Sequence, residues 1–275
     1  MTIPALALNN GMTIPQLGLG TWPLDDAQVE ATIVAATRLG YRHIDTGVSY
    51  HNEVGVGRGM AASGIPRSEL FVTTKLDGEF QGEDRAIAGL DACLQRLQLD
   101  YVDLVLIHWP LPQRDQYVPT WRTFQTLQAS GRTRAIGVSN FAPRHLQRLI
   151  DETGVVPAVN QVELSPAIPR EDYRAFHRER GIVTISYSPL TAGRNLTADP
   201  MIARLGRGHG KSSAQVILRW HVQAGLVAVP KSKSPERLAQ NLDVFDFELT
   251  AEDLAAIATL SLGPGAGVDP EADGH

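Results

Sequence analysis

Residues 69–110, ELFVTTKLDGEFQGEDRAIAGLDACLQRLQLDYVDLVLIHWP, decide the fold. ELFVTTK (69–75) and YVDLVLIH (101–108) are short, β-branched and almost continuously apolar, as strands covered on both faces are. Between them, residues 83–98 place apolar side chains at helical spacing. A buried strand, a crossover helix and a second buried strand make a parallel βαβ unit. The alternation continues in both directions. Upstream, QLGLG (16–20) precedes an amphipathic stretch at 25–39, and YRHID (41–45) precedes 52–63. Downstream, YVDLVLIH precedes 118–130, TRAIGVSN (133–140) precedes 142–152, and AVNQVE (158–163) precedes 170–180. IVTISY (182–187) precedes a longer excursion and a helix at 213–224, and LVAVPK (226–231) precedes a final helix from about 234.

Eight such units in series predict an α/β fold, a (β/α)8 TIM barrel, with a doubly wound open sheet as the alternative. A short N-terminal β-hairpin, LAL-NNG-MTI, precedes them, with Asn10-Gly11 supplying the positive φ angles of a tight turn. No Pro/Ser-rich linker or shift in composition divides the chain, so residues 1–275 read as a single domain. GPGAGVDPEADGH (263–275) lacks apolar periodicity and reads as a flexible tail.

Composition narrows the function. Of the 275 residues, 43% are hydrophobic and 20% charged, which is ample material for a packed core. A formal net charge of −5 argues against nucleic acid or an anionic membrane as the main partner. Cys93 is the only cysteine, so no intramolecular disulfide forms, and a cytoplasmic, reducing compartment fits. Its setting, GLDACLQRL, puts it on the apolar stripe of a helix as a buried structural thiol. The N-terminus has no basic n-region, and the longest apolar run, VDLVLI (102–107), is too short to span a bilayer. Nothing demands an oligomer, so a monomer is expected.

In a barrel of this kind the site forms where strands end and the following loops begin. Asp45, Lys75, His108, Asn140, Glu163, Tyr187 and Lys231 stand at those ends, each closing an apolar run. One such residue could cap a turn; seven converging on one mouth read as a site. Two phosphate motifs fail. GVGRGMAASG (55–64) lacks the GxGxxG spacing and reads as a glycine-rich helix packed closely on its neighbours. GRGHGKSS (206–213) is one residue short of a P-loop and follows a helical pattern, while Ser212 and Gln215 fit a capping box. Neither HxH nor HExxH occurs among the eight histidines. His43 and Asp45 alternate on one strand, which keeps a metal site as an alternative, but no metal is expected. His145, His177 and His221 lie in helical patterns as surface or packing residues.

DTGVSYHNE (45–53), the lysine ending FVTTK, the histidine in LVLIHWP, GVSNF and VNQVE together resemble the aldo-keto reductase family. The resemblance runs from LGLGTW (17–22) to VPKSKSPERLAQNL (229–242), and the short C-terminus is similar to the bacterial branch with 2,5-diketo-gluconate and glyoxal reductases. It implies a catalytic tetrad of Asp45, Tyr50, Lys75 and His108. Reducing a carbonyl leaves an alkoxide that must be protonated, and a tyrosine with a pKa of about 10 is a reluctant acid. An ammonium at Lys75 would stabilise the tyrosinate, Asp45 would hold that ammonium, and His108 would orient the carbonyl oxygen or assist proton movement.

The resemblance also implies NADPH. Ser139, Asn140 and Gln161 would bind the nicotinamide carboxamide, Tyr187 would stack on the ring, and the backbone around Ser188 and Leu190 would meet the pyrophosphate. Lys231, Ser232, Lys233 and Arg237 form a basic cluster suited to a 2′-phosphate, and Gln240 and Asn241 would reach the adenine. Trp22 and Trp109 would wall the pocket of a small-molecule carbonyl substrate. The implied activity is reduction of aldehydes, ketones or α-dicarbonyls. Gly47 stands where the family commonly has alanine, His51 adjoins Tyr50, and the compact segments after His108 and at the C-terminus point to an open, permissive pocket. The competing readings are a cofactor-binding redox sensor with negligible turnover, a metal-dependent barrel hydrolase, and an aldolase using Lys75 as a Schiff base. The last leaves Tyr50 and His108 idle.

Overall fold

The computed structural model describes residues 3–275. Its first elements are β1 (Ala5–Ala7) and β2 (Thr13–Pro15), an antiparallel hairpin with Leu6 opposite Ile14. Gly11 takes φ +84°, and Asn10 Oδ1 accepts the Met12 N–H at 3.1 Å, the turn chemistry expected of Asn-Gly. The side-chain amides of Asn9 and Asn10 donate to the carbonyls of Pro157 and Arg134, near the starts of two barrel strands. The hairpin therefore covers the N-terminal end of the barrel.

Eight parallel strands follow: β3 (Leu19–Gly20), β4 (His43–Asp45), β5 (Phe71–Leu76), β6 (Val102–Ile107), β7 (Thr133–Ser139), β8 (Val159–Glu163), β9 (Val183–Tyr187) and β10 (Val227–Ala228). They lie side by side in chain order. The ends of the sheet then meet. Leu17 bridges Ala228, the Gly18 N–H donates to the Ala228 carbonyl at 2.9 Å, and the Ala228 N–H donates to the Gln16 carbonyl at 3.0 Å. This closure makes the sheet a barrel and disposes of the doubly wound alternative. Inside it, Phe71, Leu104, Leu106, Ala135, Val159, Ile185 and Val227 pack with Leu8 and Ile14 of the hairpin, so the lower barrel is a filled core.

The helices α1 (Asp26–Leu39), α2 (Glu53–Ser63), α3 (Glu83–Leu97), α4 (Tyr117–Ala129), α5 (Pro143–Thr153), α6 (Glu171–Arg180), α7 (Pro200–His209), α8 (Ser213–Gln223) and α9 (Pro235–Leu242) connect or follow these strands. In α3 the buried residues are Ala86, Gly89, Leu90, Cys93, Leu94 and Leu97, one face at 3- and 4-residue spacing. Each large apolar side chain buried this way contributes about 1.5–3 kcal/mol. Gln98 ends the helix in a left-handed conformation. Ser212 and Gln215 make the expected capping box at the start of α8, and the excursion before it contains α7. Instead of one final helix from about 234 there are two, because α9 stops at Leu242 and Thr250 caps a new helix, α10 (Ala251–Ala258).

The tail makes specific contacts with the rest of the chain. The Val268 N–H donates to Glu163 Oε2 at 2.8 Å, Arg170 donates to the Val268 carbonyl at 2.9 Å, and Glu271 pairs with Arg144 and His145. The last residue reaches the barrel mouth, where its carbonyl accepts the Gly78 N–H at 3.0 Å.

Candidate active site

The C-terminal ends of the strands surround a cavity of about 800 Å³. Lys75, at the end of β5, lies beneath its floor with no solvent exposure. Its Nζ donates to Asp45 Oδ1 at 2.5 Å and to the Thr46 carbonyl at 2.8 Å, and it stands 4.9 Å from the centroid of the Tyr50 ring. The second Asp45 oxygen accepts from Gln161 Nε2 at 2.7 Å. Burial works against the Lys75 charge, but Asp45 and then Tyr50 outweigh it, and the pKa ends above its ordinary value. The ammonium is therefore intact at neutral pH. For Tyr50 burial is the largest influence and raises the pKa, while Lys75 pulls it back down. Tyr50 thus holds a proton at neutral pH, beside the one cation that eases its release.

The loop bearing Tyr50 is fixed by a residue that the sequence reading missed. Gly47 and the short 3-10 turn Val48–Tyr50 carry the tyrosine from β4 to the cavity. Buried Asn52 then donates to the carbonyls of Thr21 and Leu24 at 3.1 and 2.8 Å and accepts from Thr46 Oγ1 at 2.9 Å. Those bonds tie the loop to the segment before α1. The sequence pattern could not disclose them, because Asn52 stands where a helix cap is equally natural. His51 adopts φ +53°, is exposed, and does not line the cavity.

His108 follows β6 and lies edge-on to Tyr50, with ring centroids 6.2 Å apart. Its Nδ1 lies 2.5 Å from Oδ1 of Asp77, a buried carboxylate that the sequence reading left unassigned. Burial lowers the His108 pKa more than Asp77 raises it, so the ring is neutral at neutral pH. His275 was also missed. It reaches the cavity and packs edge-on to His108 at 5.2 Å. Trp22, 57% exposed, stands 5.5 Å from the Tyr50 ring, whereas Trp109 is buried and faces His275 at 6.3 Å. His275 therefore brings the C-terminus to the pocket wall.

The other expected residues divide. Asn140, Gln161, Tyr187, Ser188, Leu190 and Lys231 line the same cavity, and Ser139 lies behind them, donating to the Gln161 carbonyl at 3.0 Å. Asn140 Oδ1 accepts from the Tyr187 hydroxyl at 2.9 Å, and its amide nitrogen donates to the His108 carbonyl at 3.1 Å. Glu163 turns to the tail instead. Ser232, Lys233, Arg237, Gln240 and Asn241 fall outside the cavity lining, and Asn241 is buried beside the Tyr41 hydroxyl. His43 bonds to Thr73 Oγ1 at 3.1 Å and forms no ligand cluster with Asp45. Buried His145, His177 and His221 are packing residues.

This tyrosine–lysine–aspartate–histidine floor is suited to giving a proton to an oxygen above it. The chain is similar over its length to known proteins. An aldo-keto reductase of Mycolicibacterium smegmatis is 50% identical over 267 residues, 97% of each chain. Methylglyoxal reductase DkgA of Yersinia pestis is 45% identical over 272 residues, 98% of each. Among solved structures, a variant of Gox0644 in complex with NADPH superposes with a TM-score of 0.95 at 41% identity, with all of both chains covered. The model of the Aldo/keto reductase family matches residues 15–261, and the chain belongs to that family as an aldo-keto reductase.

Proposed function

We propose that the protein uses NADPH to reduce aldehydes, ketones or α-dicarbonyls, such as methylglyoxal, phenylglyoxal or a diketo sugar acid, to alcohols, with Tyr50 as the proton donor. The observation that carries this reading is the Lys75 ammonium buried between Asp45 and Tyr50 at the cavity floor. When bound, the reduced nicotinamide supplies a hydride to the carbonyl carbon. Tyr50 gives its proton to the oxygen as negative charge develops there, and Lys75 stabilises the tyrosinate left behind. Asp45 holds Lys75 charged and in place, with Gln161 fixing its other oxygen. His108 orients the substrate from the side.

The residues present suit that cofactor. The Tyr187 ring lines the cavity with its hydroxyl tied to Asn140, which fixes the face it offers to a nicotinamide. The main-chain N–H groups of Ser188 and Leu190 have no acceptor among the described residues and suit a pyrophosphate. Lys231, Lys233 and Arg237 pair with no carboxylate among the described residues, leaving their charge for a 2′-phosphate. The NADPH complex of Gox0644 and the name of the Yersinia pestis relative support the cofactor and the substrate class. On this reading the enzyme is a cytoplasmic monomer. Its only thiol is buried, and its exposed large apolar side chains, Trp22, Leu39, Val54 and Leu262, sit on different segments.

The test is NADPH oxidation by the wild-type protein, followed by absorbance, with methylglyoxal and phenylglyoxal. Turnover with both, faster with NADPH than with NADH, is expected. Tight NADPH binding without turnover of any carbonyl would favour a sensor instead.

A further inference from the structure

The loop after β5 carries a buried carboxylate for which the reductase reading has no use. Asp77 Oδ1 lies 2.5 Å from His108 Nδ1, and His275 Nε2 approaches the same oxygen to 3.7 Å. These three residues bring ligand-type atoms within 4.8 Å of one another, the one such group among the described residues. A resident metal is a poor description of it. Two ligand atoms at about 2.0–2.1 Å from one tetrahedral ion stand about 3.3 Å apart. A separation of 2.5 Å leaves room only for a proton, as in a charge-assisted hydrogen bond.

An ionised carboxylate only accepts, so the proton in that bond sits on Nδ1, and a neutral imidazole protonated there keeps a lone pair on Nε2. Nε2 has no hydrogen-bond partner among the described residues, and His108 lines the cavity. We infer that Asp77 is a positioning residue: it fixes His108 as the Nδ1–H tautomer and presents Nε2 to the cavity as a hydrogen-bond acceptor. The groups facing His108 fit a neutral ring. Lys75 of β5 and His275 of the tail oppose a second proton, Asp77 favours one, Tyr50 closes the remaining side, and burial is the largest influence against the charge.

The tautomer selects a substrate class. An acceptor beside the reacting carbonyl cannot donate to the carbonyl oxygen, so Tyr50 is the donor there. It can take a hydrogen bond from an O–H one carbon away, as in an α-hydroxy carbonyl or the hydrated arm of an α-dicarbonyl. This consequence rests on the reductase reading, but the tautomer does not.

Long-range proton–nitrogen NMR of the full chain at neutral pH, with His108 assigned by its loss in His108→Gln, reads the tautomer directly. A pyrrole-type Nδ1 and a pyridine-type Nε2 are expected for His108 in the wild type, retained in Asp77→Glu and lost in Asp77→Leu, which has no acceptor to offer. A protonated Nε2 in the wild type overturns the inference, whatever the protein reduces. The matched pair hydroxyacetone and butanone then tests the selection. Their ratio of kcat/KM should fall about tenfold in Asp77→Leu, the size of one hydrogen bond, and an unchanged ratio overturns the substrate class. A wild-type protein with Nδ1–H that reduces no carbonyl would sink the reductase reading and leave the tautomer standing.

Discussion

At the scale of the residue, the account turns on Lys75, a wholly buried cation whose nearest carboxylate is Asp45. Removing one partner of such a pair strands the other, which typically costs about 3–5 kcal/mol. Asp45→Asn should therefore unfold in urea with about 3 kcal/mol less stability, and its kcat should fall at least tenfold as Lys75 loses its anchor. Asp45, Lys75 and His108 were legible because each closes an apolar run, where an ionisable group has no packing reason to be, whereas Tyr50 stands in a loop and came only from the resemblance carried by DTGVSYHNE. Asp77 was not legible. It stands two residues past Lys75, where a loop acid is unremarkable, and its partner His108 lies 31 residues on. Only the register of β5 against β6, Leu76 opposite Ile107, brings the two together.

At the scale of the element, α2 shows what the closely spaced glycines do. A Cβ on Gly57 would stand 2.5 Å from the Leu97 carbonyl oxygen, and one on Gly59 would meet Ile33 at 3.0 Å. The glycines let α2 lie against α1 and the end of α3, as expected of a packing helix and not of a phosphate loop. Gly57→Ala forces those backbones apart, and a loss of about 1–3 kcal/mol should appear as a lowered thermal midpoint. The tail's contacts are made by main-chain groups and by Glu163 and Arg170, and such contacts leave no apolar periodicity in the sequence. Deleting residues 268–275 uncovers Trp109 and removes His275 from the pocket. The KM for methylglyoxal should rise several-fold while the thermal midpoint moves little, because no core cluster includes that segment.

At the scale of the whole molecule, the barrel was legible from eight repeats, but its closure was not. β3 and β10 are two residues each, and the barrel is closed by main-chain bonds from Gln16 and Gly18, just before β3, to Ala228 of β10, which no side-chain pattern reports. The buried histidines give the fold a pH dependence. Burial lowers the pKa of His43 to about 4, His177 to about 3 and His221 to about 4. Below about pH 6.5 the unfolded chain takes up protons that the folded one refuses, so stability falls as pH drops towards 4 and levels off once the native rings titrate. Each ring accounts for about 2 kcal/mol at pH 5. Urea unfolding at pH 7.5 and 5.0 should show a loss of several kcal/mol, and a flat profile would mean that these rings are not buried neutral.

The proposed role of Tyr50, the acid of a carbonyl reduction made competent by Lys75, is open to a direct test. The most direct measurement compares wild type and Tyr50→Phe for NADPH oxidation with methylglyoxal, alongside NADPH affinity by fluorescence titration. In the variant kcat should fall by at least a hundredfold, the range of a lost general acid, while NADPH still binds. A variant that turns over within a few-fold of the wild type would contradict that role, and the proton would have to come from another group.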